Sequence, residues 1–340
     1  MPATNPLAIW HWHIEISSKC TLRCPRCARQ EVPNGLVNTE LNLEFFQRNF
    51  TEEFVKQNVQ KMTFCGDDGD PIYAHDLIPV VGYLKTIKPN IEIVIVTNGS
   101  YKSEHWWKQL AMLLGPQDSV HFSIDGYDHK SNCEYRVNSD WNSIMLGVRT
   151  LRANSNCQMI WAAIGFRFNQ KYLQRMKVMA LDLGFDRFQL TKSTKFGSVY
   201  PHYGTQDSLE PMQDLISQSH RFEREVYDLT HKEATVWPIN LQRFTNTCAE
   251  HGVKPLCSVG NKGLYVSAQG HLFPCCWVAN RYTHNQEWQN LGQKFDLNSR
   301  SLDAVLDDDF WQSEFRTYRW TECQTKCAAN RVTQEYATEW

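Results

Sequence analysis

Six strand-like segments alternate with helix-like segments over the first two hundred residues, and this alternation limits the fold more than any other feature. "IWHWHIEI" (9–16), "KMTFC" (61–65), "IEIVIVTNG" (91–99), "SVHFSIDG" (119–126), "CQMIWAAIGFRF" (157–168) and "RFQLTKS" (187–193) read as strands. The segments 42–58, 75–87, 103–115, 141–154 and 171–185 place apolar residues at helical spacing. Strand, helix, strand in repetition builds parallel βα units. Such a sheet curls into a full or partial barrel, with its binding site at the C-terminal strand ends. Four of those ends are polar or glycine-rich: "SSKC", "CGDDGDP", "TNGS" and "SIDG".

The remainder of the chain reads differently. Residues 194–208 look like a connector, and "LEPMQDLISQSHRFEREVYDLTH" (209–231) is expected to be a helix. "GLYVSAQGHLFPCCW" (263–277) reads as two short strands around an Ala-Gln-Gly-His turn, and "LDAVLDDDFWQSEFRTYRW" (302–320) as helical. The length of 340 residues favours one large domain and a smaller one. We place the boundary at about residue 240, giving domains 1–240 and 241–340.

Composition excludes several classes. The net charge of −2 provides no polyanion-binding surface, so no nucleic-acid partner is expected. No apolar run is long enough for a bilayer, and the first residues lack a secretory pattern, so the expected location is the cytoplasm. Twelve cysteines in such a chain point to metal or iron–sulfur binding rather than to a disulfide framework.

Three of these cysteines stand directly after the first strand. "KCTLRCPRC" spaces Cys20, Cys24 and Cys27 as C-x3-C-x2-C. Three thiolates on a [4Fe–4S] cluster leave one iron without a protein ligand, open to a substrate or cofactor. Closed tetrahedral zinc is the competing reading, but no nearby fourth ligand has the usual spacing. His11 and His13 lie along the strand itself and are poor candidates.

This motif, at the end of the first strand of a βα series, resembles the radical S-adenosylmethionine (SAM) superfamily. The resemblance covers the first two-thirds of the chain. It implies that the open iron chelates the amino and carboxylate groups of SAM. It also implies that SAM is cleaved reductively to a 5′-deoxyadenosyl radical, which takes hydrogen from a substrate. The family's Gly-Gly-Glu-Pro-like turn, which holds the methionine amino group, is matched here by "DGDP", hence Gly69, Asp70 and Pro71. The acid is Asp rather than Glu, and Asp68 replaces the first glycine. "TNGS" would place Asn98 at the SAM site, and "SIDG" would place Ser123 and Asp125 on one face of the fourth strand. Arg136, in a Tyr-Arg pair like that of relatives, would meet either the SAM carboxylate or Asp125. Arg167 and Asn169 are weaker candidates for the same cavity.

A second cysteine set resembles the auxiliary-cluster extensions of this superfamily, the SPASM and twitch domains. Cys257 and Cys275 frame a C-x12-G-x4-C pattern, and Cys323 and Cys327 follow as C-x3-C. The absence of cysteines between Cys276 and Cys323 favours the shorter twitch type. Cys257, Cys275, Cys323 and Cys327 then make the four ligands of a second [4Fe–4S] cluster, with zinc as the competing metal. Cys276 or Cys248 is an alternative ligand, and only one of the adjacent Cys275 and Cys276 should face a cluster. Cys65, Cys133 and Cys157 read as isolated thiols.

The fold class expected is therefore α/β: a partial (βα) barrel of radical SAM type with a small C-terminal twitch-like α+β domain. The expected activity is a radical SAM oxidation of dehydrogenation type, in which the auxiliary cluster accepts an electron. Its partners would be a small-molecule or peptide substrate and an electron donor such as flavodoxin or ferredoxin. Peptide modification is the alternative; with the first strand starting by about Ile9, no leader-binding extension is expected. A non-catalytic iron–sulfur electron carrier is the alternative from another class, and it would not need binding motifs at successive strand ends.

Overall fold

The computed structural model describes residues 11–30, 36–193, 195, 207–212, 223–230, 242–245, 263–283 and 292–314. In chain order the elements are β1 (His11–Ile14), α1 (Leu43–Asn49), α2 (Glu52–Asn58), β2 (Lys61–Phe64), α3 (Leu77–Ile87), β3 (Glu92–Thr97), α4 (Glu104–Ala111) and β4 (Ser119–Ser123). There follow α5 (His129–Asn132), α6 (Trp141–Asn154), β5 (Gln158–Gly165), α7 (Arg167–Gln170), α8 (Leu173–Asp182) and β6 (Arg187–Lys192). Last come β7 (Glu223–Asp228), β8 (Gln242–Thr245), β9 (Gly263–Val266), β10 (Leu272–Phe273), α9 (Cys276–Thr283), α10 (Leu302–Leu306) and α11 (Asp309–Glu314).

All six expected strands form, each shorter than its apolar run. The helix expected over 42–58 is two helices. Asn42 caps α1 by accepting the Phe45 N–H at 2.9 Å, and Thr51 caps α2 by accepting the Phe54 N–H at 3.3 Å. The Thr51 hydroxyl starts a new helix where apolar spacing alone runs on. A second difference concerns 209–231: Glu223–Asp228 is a strand, not a helix. It pairs antiparallel with β6, Leu190 opposite Glu225, and so satisfies the backbone groups along that edge.

The chain forms two compact units. The first comprises Met1–Cys20, Ala28–Val96 and Cys248–Trp340. Its strands run in the order β10-β9-β1-β2-β3. β1 is parallel to β2 (His13 opposite Thr63) and to β9 (His13 opposite Tyr265), whereas β10 returns antiparallel to β9. The hairpin expected around Ala-Gln-Gly-His is present, with Gly270 at φ 84° in its turn. Its first strand extends the sheet that contains β1. Trp12, Phe46, Phe50 and Phe64 fill this unit's core, the Trp12 and Phe50 rings meeting edge-on at 4.9 Å.

The second unit comprises Thr21–Cys27 and Thr97–Thr247. Its strands run β4-β5-β6-β7-β8, the first three parallel and the last two antiparallel. Trp107, Phe122, Trp161 and Phe188 are fully buried. α4 packs on α6 where Gly147 makes room for the Trp107 indole.

That contact yields a test. Gly→Ala within a helix normally stabilises by about 0.5–1 kcal/mol. Here a Cβ on Gly147 would stand 2.5 Å from Trp107 Cε2, and that ring is wholly buried. Overpacking costs about 1–3 kcal/mol, so Gly147→Ala should lower the urea midpoint. A raised midpoint would contradict the packing.

Candidate functional site

In the first unit, the turn after β2 is built against the chain that leaves β1. The Asp70 N–H donates to the Lys19 carbonyl at 2.9 Å, and Arg29 donates to the Ser18 carbonyl at 2.8 Å and to the Asp68 carbonyl. Gly69 sits so close that a Cβ would lie 1.9 Å from the Ser17 carbonyl oxygen. Only glycine fits there. Asp70 is buried and accepts the Ile72 N–H at 3.2 Å, capping the 3-10 turn Pro71–Tyr73. "DGDP" is thus a fixed turn beside the backbone that leads to Cys20.

Two buried residues that the motifs did not single out hold this turn. Glu15 accepts the N–H groups of Asp68 at 2.7 Å and Gly69 at 3.0 Å, and Tyr265 of β9 donates its hydroxyl to Glu15 at 2.5 Å. Burial, reinforced by Asp68 and Asp67, pushes the Glu15 carboxyl up to about 8. A lone acid at the end of the strand-like run 9–16 was the available signal. The strand histidines are occupied structurally: His11 bonds Thr63 at 3.0 Å, and His13 bonds the Cys65 carbonyl at 3.1 Å. Burial lowers His13 to about 4, against the pull of that carbonyl.

In the second unit, the loop of Cys24 and Cys27 is anchored to the segment after α5. Arg23 N–H donates to the Val137 carbonyl at 3.0 Å, Asn138 donates to the Thr21 carbonyl at 2.7 Å, and a Cys27 N–H to Cys24 carbonyl bond of 3.1 Å closes the turn. Cys24 is buried, and burial pushes its thiol up to about 11 while the neighbouring Arg136 guanidinium pulls the other way.

Arg136 had two expected partners, and the structure pairs it with Asp125, Nε to Oδ2 at 2.6 Å. The other Asp125 oxygen accepts the Ile164 N–H at 2.6 Å, so the carboxylate braces the ends of β4 and β5. Burial lowers the Arg136 pKa, but Asp125 and Cys24 outweigh it and raise the value overall. Asn169 is a brace as well, donating to the Asp125 carbonyl at 3.0 Å and the Ile164 carbonyl at 2.8 Å, whereas Arg167 is exposed. Asn98 is buried and accepts the Ser100 N–H at 2.9 Å; Ser123 is half-buried.

Of the second cysteine set, Cys248, Cys257, Cys323 and Cys327 lie outside the described residues. Cys275 and Cys276 are not on a strand, although 263–277 reads as two strands from sequence. Pro274 ends the strand, Cys276 opens α9, and the Cys275 carbonyl accepts the Ala279 N–H at 3.1 Å. Cys275 is half-buried. Cys276 is buried, its thiol raised by burial first and then by Asp67, Cys275 and Cys65.

The donor chemistry of the first set, thiols alone, is of the kind iron–sulfur clusters take. Cys20, Cys24 and Cys27 supply three thiols, none of them in a disulfide, and a guanidinium stands beside Cys24 to offset thiolate charge. Among the described residues no group of three or more His, Cys, Asp or Glu is gathered tightly enough for one metal ion. A cluster takes each thiolate on a separate iron and does not require that compactness.

No family model and no curated relative matches the sequence. Solved structures do match. Streptococcus suis SuiB bound to S-adenosylmethionine superposes with a TM-score of 0.59 at 14% identity, over 92% of this chain and 69% of that one. SuiB bound to its precursor peptide SuiA gives 0.59 at 14%, over 94% and 70%. Native anSMEcpe with bound AdoMet and Cp18Cys peptide gives 0.54 at 12%, over 94% and 88%. The fold class, a mixed α/β partial barrel, is that of these structures. Among the described residues no helix is long and apolar enough to cross a membrane.

Glu15 makes stability depend on pH. Between its ordinary value of 4.5 and about 8, the unfolded chain releases a proton that the folded chain keeps, so stability falls as pH rises. Urea midpoints of wild type and Glu15→Gln compared across this range should show wild type losing ground steadily. A pH-independent difference would mean the carboxyl titrates normally.

Proposed function

We propose that this chain is a radical SAM enzyme. Cys20, Cys24 and Cys27 hold a [4Fe–4S] cluster, and the turn containing Gly69, Asp70 and Pro71 receives the SAM amino group. The observation that carries the reading is the position of C-x3-C-x2-C directly after β1, with the glycine-requiring turn after β2 locked against that same backbone. When bound, the cluster and SAM supply a 5′-deoxyadenosyl radical that abstracts hydrogen from a substrate.

The chain's own residues prepare the site. The Asp70 carboxylate and the backbone carbonyls of its turn form an acceptor set for an ammonium group. Arg136 contributes fixed positive charge beside Cys24, held by Asp125. Asn98, Ser123 and Asp125 line or brace the strand ends where the rest of the cofactor is bound.

Residues 241–340 form the twitch-like part on this reading, in which Cys257, Cys275, Cys323 and Cys327 hold a second cluster. That group supplies a one-electron acceptor, which suits dehydrogenation of the substrate. A peptide substrate is the second reading, supported by the peptides bound to SuiB and anSMEcpe, whose folds this chain resembles. Reducing electrons come from a carrier such as flavodoxin or ferredoxin.

Anaerobically reconstituted protein should hold about eight irons. The triple change of Cys20, Cys24 and Cys27 to Ala should remove about half of them, and Cys323→Ala with Cys327→Ala the other half. Full iron in the triple variant would refute the assignment.

Asp70→Ala should leave iron content intact. It should weaken SAM binding by about one to two decades, the value of a charge-assisted hydrogen bond. Unchanged affinity in an equilibrium binding assay would move the amino-group site away from Asp70.

A further inference from the structure

Glu15 and Tyr265 are two buried polar residues that no motif accounts for, and they meet under the "DGDP" turn. Glu15 is only 2% exposed and Tyr265 1%. Among the described residues, no Lys or Arg forms an ion pair with Glu15. What it does have is three donors aimed at its carboxyl group. Oε1 takes the Asp68 and Gly69 N–H groups at 2.7 and 3.0 Å, and Oε2 takes the Tyr265 hydroxyl at 2.5 Å. Burying an acid without a cation is costly, so its acceptor geometry is the gain that offsets the cost.

That geometry has a direct consequence for the turn. Among the described residues every peptide is trans, and in a trans peptide the C=O points opposite the N–H. Drawing the Asp68 and Gly69 N–H groups toward Glu15 therefore turns the carbonyls of Asp67 and Asp68 away from it. Arg29 captures the Asp68 carbonyl from the other side. With two successive peptides fixed and Gly69 pressed on the Ser17 carbonyl, the direction in which Asp70 leaves the turn is set. Tyr265 holds Glu15 in that pose from β9, its own ring met edge-on by His13 at 4.9 Å.

We propose that Glu15 and Tyr265 are positioning residues for the SAM amino-group site: Glu15 fixes the peptides preceding Asp70, and Tyr265, from the C-terminal part of the chain, fixes Glu15. The proposal rests on the radical SAM reading for its ligand, but the cradle itself does not.

Two measurements test it separately. The first is hydrogen exchange at the Asp68 and Gly69 amides of the protein without cluster or SAM. Both amides should be protected in wild type, fast in Glu15→Ala, and protected again in Glu15→Gln, which keeps an acceptor oxygen at Oε1. The second is equilibrium SAM affinity of the anaerobically reconstituted protein. Glu15→Ala should weaken it about tenfold at unchanged iron content, with Glu15→Gln recovering most of the loss and Tyr265→Phe falling between. Wild-type amides that exchange as fast as exposed ones would overturn the proposal without any variant, should Glu15→Ala fail to fold. Equal SAM affinity in wild type and Glu15→Ala would overturn it too. Wild-type protein with full iron and no SAM affinity would instead overturn the cofactor reading, and with it the ligand named here.

Discussion

The approach of Gly69 to the Ser17 carbonyl is the contact on which the candidate site depends. It places the turn after β2 against the backbone after β1, at a distance no side chain tolerates. Other bonds of the first unit secure that approach. The Lys19 carbonyl takes the Asp70 N–H, Arg29 spans from the Ser18 to the Asp68 carbonyl, and Glu15 draws in the two amides between. The thiol of Cys20 follows Lys19 directly, so its backbone is fixed by the same bonds that fix the turn.

The second unit solves a different problem, that of keeping charge in a buried place. Asp125 is wholly buried and Arg136 largely so, and removing either would leave an uncompensated charge worth about 3–5 kcal/mol. The cost is met by geometry: a 2.6 Å ion pair, a backbone amide on the second oxygen, and Asn132 and Asn169 bonded to the Asp125 backbone. The result is a cation held rigidly beside Cys24, without a conformational change to bring it there.

Much of this was legible in the sequence. The βα alternation, the C-x3-C-x2-C loop, the Gly-Asp-Pro turn and the hairpin before Cys275 each follow local rules of period, spacing and turn chemistry. Most of what was not legible depends on distant partners. Thr51 splits a helix through its own hydroxyl, a local signal that apolar spacing hid. The strand at Glu223–Asp228 forms because β6 offers an edge to pair with. The sequence left Arg136 between two partners, one of them Asp125, and the support of Glu15 by Tyr265 across 250 residues could not be read from spacing at all. A buried acid at the end of a strand-like run shows that a partner exists, but not which one.

The central claim is that these residues bind SAM for reductive cleavage. It is tested most directly by incubating anaerobically reconstituted, dithionite-reduced protein with SAM and quantifying 5′-deoxyadenosine and methionine. The account predicts both products in equal amounts from wild type and neither from the variant lacking Cys20, Cys24 and Cys27. Wild-type protein with a full complement of iron that leaves SAM intact would contradict it.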